Sequence, residues 1–249
     1  MPARRRLDQL LVDRSLAPTR EKAKALILAR QVLVNGQPAG KPGHEIDAES
    51  VIELLRPLPY VSRAGAKLEA ALDHFHISPA GRICIDIGSS TGGFTDCLLQ
   101  RGAKLVYSID TGTGQLDWKL RNDPRVVVRE RTNARYLSPS DFPQLPDLAV
   151  CDVSFISVTM ILPALDGILR ASRERQGGKS ELVILVKPQF ELERKSVGPG
   201  GIVRDPALHE RACRRVAEAV SALGCQCAII PSPVLGAEGN QEFLLYGAC

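Results

Sequence analysis

The stretch Ile83-Cys84-Ile85-Asp86-Ile87-Gly88-Ser89-Ser90-Thr91-Gly92-Gly93-Phe94-Thr95 constrains this chain more than any other. A β-branched apolar run enters a glycine-rich turn and leaves it in an apolar-periodic segment through Phe94, Leu98 and Leu99, the pattern of a buried parallel strand handing over to a helix. Such a junction turns free backbone N–H groups toward a ligand, and its glycines let that ligand come close. The spacing Gly88-x-x-x-Gly92-Gly93 is neither the dinucleotide G-x-G-x-x-G nor the phosphate loop, and no lysine closes it. A second strand, 105–109, ends in Asp110, 24 positions after Asp86, about where a nucleotide-binding βαβ unit carries its ribose-holding acid. The alternative is that both acids merely end strands and start turns.

The same alternation continues. Extended runs at 126–128, 146–152 and 182–186 are separated by helical patterns at 116–120 and 158–171, a long helix is expected from Asp205-Pro206, and strands at 228–230 and 242–246 follow it. Repeated strand–helix alternation predicts an α/β fold with a mostly parallel, doubly wound sheet around a single core. In such sheets the ligand crevice lies beyond the carboxyl ends of the strands, and Asp86, Asp110, Asp152 and Lys187 all stand at or near such ends. Four polar groups on one rim point to a site.

Ahead of this lies a smaller unit. Apolar residues at helical spacing in 6–12 stop near Pro18, Thr19 is a candidate cap for a second helix, and Val32-Leu33-Val34-Asn35-Gly36 reads as a strand entering a tight turn, with a further strand at 50–54. The overall charge is only +4, yet residues 1–43 carry nine Lys or Arg against three acids. A polyanionic partner fits this end; a solvated basic face is the alternative. The order Arg6-Leu7-Asp8, Thr19-Arg20-x-x-Ala23, Ile27 and Val32-Leu-Val-Asn-Gly resembles the RNA-binding domain named after ribosomal protein S4. Arg4, Arg5, Arg6, Arg20, Lys22, Lys24 and Arg30, with Arg63 farther on, are the candidate phosphate contacts. Aromatic stacking groups are absent from this module, which favours folded over splayed RNA. The proline-stiffened stretch 56–60 marks the expected boundary: a small α+β domain over 1–58, a linker over 59–66 and the larger domain over 67–249.

No apolar run approaches the ~18 residues needed to span a bilayer, and no apolar stretch backs the basic N-terminus, so a cytosolic protein is expected. Seven cysteines form no C-x-x-C pair and no metal-ligand spacing; reduced thiols and no structural metal are expected.

The Asp86-x-Gly88 pattern resembles the S-adenosyl-L-methionine (AdoMet) loop of class I, Rossmann-like methyltransferases. Ser62-Arg63-x-Gly65-x-Lys67-Leu68, the 86–95 loop, Cys151-Asp152-Val153-Ser154-Phe155-Ile156-Ser157, Leu185-Val186-Lys187-Pro188-Gln189-Phe190-Glu191 and Gly239-Asn240-Gln241-Glu242 together resemble the TlyA family over essentially the whole chain. Those proteins are FtsJ-like ribosomal RNA 2′-O-methyltransferases, some carrying the older name hemolysin. The resemblance implies a Lys-Asp-Lys-Glu tetrad at Lys67, Asp152, Lys187 and Glu242, with Glu238 a competitor for the last place. It implies AdoMet as cofactor, with Asp86, Gly88, Ser89, Gly92, Gly93 and Phe94 at its methionine end, Asp110 on its ribose, and Asn133 and Asp152 toward the adenine. It also implies ribosomal RNA as partner, through a cytidine. A ribose hydroxyl is a poor acid, so an amine must take its proton as it attacks a methyl group; Lys187 is the expected base, with Lys67 as the second cation that favours its neutral form. Asp152-Val-Ser-Phe155 stands where enzymes methylating exocyclic amines carry [DN]-P-P-[YF], which argues against base methylation. The glycine-rich, basic segment 192–204 is a candidate lid over the nucleotide. Two other readings stay open at this point: a non-catalytic RNA-binding assembly factor, and a cytolysin.

Overall fold

The computed structural model describes residues 4–54, 59–236 and 239–249; Arg56, Pro57 and Leu58 of the expected boundary, and Glu238, lie outside them. The chain divides into two compact units, residues 1–58 and 59–249. In the smaller unit β1 (Arg4–Arg6) pairs antiparallel with β4 (Glu45–Asp47), while β2 (Val32–Val34) sits between β3 (Gln37–Pro38) and β5 (Ile52–Leu54). Helices α1 (Leu7–Asp13) and α2 (Arg20–Leu28) bury Leu7, Leu11, Ala23 and Ile27 together with Val32. Thr19 caps α2 by accepting from the Lys22 amide at 3.2 Å. That satisfies one of the donors a helix start leaves free.

The larger unit is a seven-stranded sheet. Its strands are β6 (Ile83–Ile87), β7 (Leu105–Ile109), β8 (Val126–Arg129), β9 (Leu148–Cys151), β10 (Glu181–Val186), β11 (Gln226–Pro231) and β12 (Phe243–Ala248), in spatial order β11-β12-β10-β9-β6-β7-β8. The strands from β6 to β10 pair in parallel, whereas β12 runs antiparallel to both its neighbours. Among the described residues no helix separates β11 from β12, and so short a connection forces reversal because a parallel return needs a crossover. Around the sheet lie α3 (Ala64–His74), α4 (Gly93–Gln100), the one-turn α5 (Trp118–Arg121), α6 (Leu162–Gln176), the one-turn α7 (Pro188–Glu191) and α8 (Pro206–Ser221). Ile85, Ile87, Leu165, Ile168 and Leu245 anchor one apolar layer, and Leu68, Leu72, Leu98, Val106 and Leu244 the other. Among the described residues no helix is long and apolar enough to cross a membrane.

Three expectations are corrected. Residues 59–66 are not a free linker. Tyr60 is buried, its hydroxyl donates to Glu69 at 2.7 Å, and a side chain at Gly65 would overlap the Tyr60 ring. Arg6, read with the first helical run 6–12, instead ends the strand Arg4–Arg6 that precedes α1, because its backbone finds a partner in β4. The thiols are not all reduced. Cys225 and Cys249 are joined by a disulfide, since the antiparallel turn of β11 onto β12 brings the positions flanking both strands to one end, leaving Cys84, Cys97, Cys151, Cys213 and Cys227 free.

Candidate active site

The strand β6, the loop after it and α4 set one wall of the site. Gly88 has φ of +81° and Gly92 of +96°, conformations a side chain rarely adopts. A Cβ on Gly88 would overlap the Asp152 carbonyl oxygen, so the loop after β6 and the end of β9 touch backbone to backbone. A Cβ on Gly93 would overlap Ser62 Oγ and lie 2.9 Å from the Gly65 amide, which holds the start of α3 against the start of α4. Gly88, Ser89, Gly93 and Phe94 line a cavity of about 390 Å³ together with Arg63 and Lys67. Asp110 and Asn133 line a neighbouring cavity of about 240 Å³ that shares Gly88 with the first. Asp110 accepts from the Ser90 amide at 2.8 Å and the Gly112 amide at 2.7 Å, which fixes the loop around it.

Two of the expected cofactor residues face elsewhere. Gly92 is buried, and a side chain there would press on Leu116 and Leu120. Asp86 is fully buried behind the loop, with Thr95 Oγ1 donating to its Oδ2 at 2.6 Å and its Oδ1 left without a partner. Burial pushes its carboxyl up to about 7, against the opposing effect of the Thr95 hydrogen bond. It therefore sits beneath the glycine cradle rather than in it, in place of the expected direct contact.

The four residues expected as a tetrad converge from four separate elements. Lys67, on α3, forms an ion pair with Glu242, which immediately precedes β12; both are more than nine-tenths buried. Lys187, at the end of β10, places Nζ 2.6 Å from Asp152 Oδ1, at the end of β9, and donates to Ser154 Oγ at 2.8 Å. Lys67 and Lys187 line both the 390 Å³ cavity and a third one of about 380 Å³, which also contains Glu242, Asn240 and Phe155. Desolvating ions is costly, and such pairs are weak sources of stability, so their concentration on one rim is a mark of a working site.

Several groups went unread in the sequence. Phe155 is 92% exposed with φ of +66°, and its ring centroid lies 5.3 Å from that of Phe190. An aromatic held in a strained backbone, touched by Phe190 yet left largely bare beside a cavity, offers a stacking face to a ligand. Asn240 accepts from the Val203 amide and donates to the Gly201 carbonyl, both at 3.0 Å, and Gly201 reaches the third cavity; the candidate lid is thus folded into two short turns and tied down. Gly236 packs where a side chain would overlap the Glu242 carboxylate. Only the glycine and asparagine spacing around Glu242 carried a trace of this.

Of the candidate RNA contacts, Arg5 pairs with Asp13 at 2.8 Å, and Arg6 and Arg20 both pair with the buried Asp8 at 3.0 Å. The hydrogen bond from Arg6 draws the Asp8 carboxyl down to about 2, with Arg20 adding to it. These three arginines brace the smaller unit as well as presenting charge, whereas Arg4, Lys22, Lys24 and Arg30 are exposed. Arg63 lines the 390 Å³ cavity in the larger unit instead. Among the described residues no group of three or more His, Cys, Asp or Glu can hold a metal ion.

Residues 60–248 match the family model described as FtsJ-like methyltransferase, and residues 5–52 the S4 domain. The chain is 46% identical to the 16S/23S rRNA (cytidine-2'-O)-methyltransferase TlyA of Mycobacterium tuberculosis over 99% of its own length and 90% of the relative's. It is 43% identical to Hemolysin A of Brachyspira hyodysenteriae, covering 97% of this chain and 98% of that one. A Streptococcus thermophilus protein solved under the name hemolysin superposes with a TM-score of 0.74 at 45% identity, covering 100% of this chain and 89% of that one. An S-adenosylmethionine-dependent methyltransferase from Listeria monocytogenes, 15% identical, superposes at 0.51 over 75% of this chain and 98% of its own and shares the fold.

Proposed function

Since the chain belongs to the FtsJ-like methyltransferase family and carries an S4 domain, we propose that it methylates a ribose 2′-hydroxyl of ribosomal RNA, at a cytidine as the name of its Mycobacterium tuberculosis relative states, using AdoMet as donor. The observation that carries this reading is the meeting of two lysine–carboxylate pairs, Lys67–Glu242 and Lys187–Asp152, at cavities continuous with a glycine cradle.

The residues fit the donor. Gly88 and Gly93 line the 390 Å³ cavity, where the absence of side chains lets a ligand approach the peptide backbone. Ser89, Gly93 and Phe94 would hold its amino-acid end, and Asp110 and Asn133 its nucleoside end. When bound, AdoMet supplies an electrophilic methyl group on a sulfonium.

On the other side, the 380 Å³ cavity takes the target nucleotide. Phe155 offers its open face to the base, and Lys67 and Lys187 flank the ribose hydroxyl. Once Lys187 has given up its own proton, its free amine would take the hydroxyl proton as the ribose oxygen bonds to the methyl carbon and the methyl–sulfur bond breaks, the rest of the donor leaving as a neutral thioether; Lys187 would later release that proton to water. Asp152 and Ser154 fix the Lys187 amine, and Glu242 fixes that of Lys67, so reacting groups are positioned before the reaction starts. The exposed Arg4, Lys22, Lys24 and Arg30 provide phosphate contacts on folded RNA, in the cytoplasm where ribosomes are made.

The test is transfer of labelled methyl from AdoMet to purified ribosomal subunits, followed by mapping of ribose methylation. Lys187→Ala should lower turnover by about 10²–10⁴-fold while calorimetry shows AdoMet still bound. Equal turnover in variant and wild type would remove Lys187 from the chemistry, and failure of the wild type to bind AdoMet would overturn the enzymatic reading.

A further inference from the structure

Glu191 is a buried carboxylate, 3% exposed, that the chemistry above does not use. It ends α7, the single turn that begins at Pro188 directly after Lys187, and its side chain reaches into the loop after β9. There Oε2 accepts from Ser157 Oγ at 2.5 Å and Oε1 from the Val158 amide at 2.8 Å. Its own carbonyl accepts from Arg215 on α8 at 2.6 Å, which anchors α7 from behind. The two segments it joins carry the groups that must act together: Asp152, Ser154 and Phe155 on one, Lys187 and Phe190 on the other. Asp152 and Lys187 stand at the ends of adjacent strands, but beyond those ends no sheet pairing holds the two loops together. Burial raises the Glu191 carboxyl above the ordinary range, against the two hydrogen bonds it accepts. A carboxylate kept buried at that cost needs a return, and among the described residues its hydrogen-bond partners, Ser157 and Val158, both belong to the loop after β9.

We propose that Glu191 is a positioning residue for methyl transfer, clamping the loop after β9 to the turn after β10 so that the Asp152–Lys187 pair and the Phe155–Phe190 pair stay in register; the proposal rests on the methyltransferase reading. Glu191 touches neither donor nor acceptor. Its effect is on alignment, where a displacement of about 1 Å can cost on the order of 10²-fold in rate. A glutamine keeps an acceptor for the Val158 amide, and the Ser157 hydroxyl can turn to accept from its amide group, so the conservative variant preserves the clamp.

The experiment compares full-length wild type, Glu191→Ala and Glu191→Gln. Turnover is expressed per bound AdoMet, so that unfolded protein does not count, and hydrogen exchange is followed at the amides of residues 153–159. The expected result for Glu191→Ala is exchange faster by about tenfold or more in that loop, AdoMet affinity within about twofold of wild type, and turnover per site down by about 10–100-fold, with Glu191→Gln close to wild type in all three. Unchanged exchange, or unchanged turnover per site in Glu191→Ala, overturns the proposal, and so does a glutamine variant as slow as the alanine one. A wild type that binds AdoMet but methylates no RNA overturns the function and the catalytic role of the clamp together, a result distinct from either of those.

Discussion

Replacing Gly88 by alanine should damage the protein in two separable ways. The residue sits at φ +81°, where an L side chain costs about 1–2 kcal/mol. Its new Cβ would also overlap the Asp152 carbonyl oxygen and lie 3.0 Å from the carbonyl carbon and 3.3 Å from Val153 Cα. These are backbone atoms, so relief means moving a strand end, and overpacking of that kind costs about 1–3 kcal/mol. The total is about 2–5 kcal/mol, or roughly 5–15 °C in Tm for a unit of this size. Gly81→Ala provides the control. Gly81 has φ +74° but no atom within 4 Å of its would-be Cβ, so it should show the conformational cost alone, roughly 2–6 °C. Calorimetric melting of the three proteins measures the difference, and titration with AdoMet asks whether the shifted Asp152 segment also closes the cradle. Equal melting losses in the two variants, or wild-type AdoMet affinity in Gly88→Ala, would refute the claim that the two loops meet backbone to backbone.

Two further outcomes follow from local chemistry. The Asp8 carboxyl is drawn down to about 2 by Arg6 and Arg20, so its contribution is full above the ordinary carboxylate range, near pH 4, and is lost as pH falls toward 2; acid unfolding of the smaller unit should steepen in that window, and Asp8→Asn should flatten it. The Cys225–Cys249 bond closes a loop with a sequence separation of 24, worth about 3 kcal/mol; thiol titration in denaturant should count five free thiols before reduction and seven after, and reduction should lower the Tm of the larger unit by several degrees.

Much of this architecture was legible because period and punctuation are local signals. The run into Gly88 reads as a strand, Pro206 behind Asp205 as a helix start, and Asn35-Gly36 as a turn, and each is where the pattern places it. Strand direction is not local. Nothing in Phe243–Ala248 says that it runs against its neighbours; that follows from the missing crossover behind β11. The facing of single residues is hidden too. Asp86 and Gly92 look like ligand contacts by position, yet one is buried in β6 and the other lies against Leu116 and Leu120, because a strand end and the five-residue turn after it bury some of their members to present the rest. Charge counting likewise presents Arg5, Arg6 and Arg20 as free cations, although Arg6 pairs with Asp8 two residues away, Arg5 with Asp13 at the far end of α1, and Arg20 with Asp8 once α1 and α2 have packed. Glu191 and Phe155 were visible as letters of a motif but not as a clamp and a platform, which only the folding of two strand ends toward each other creates.

The reversed strand β12 also sets an order of assembly. It fills the gap between β10 and β11, and the residue leading into it supplies the partner of Lys67. A growing chain that has made everything up to residue 240 therefore holds two open sheet edges and a buried amine with no counter-ion. Synthesis must pass that point before Lys67 gains its partner, so a product stopped there keeps the basic smaller unit but lacks the carboxylate that fixes one of its two site lysines.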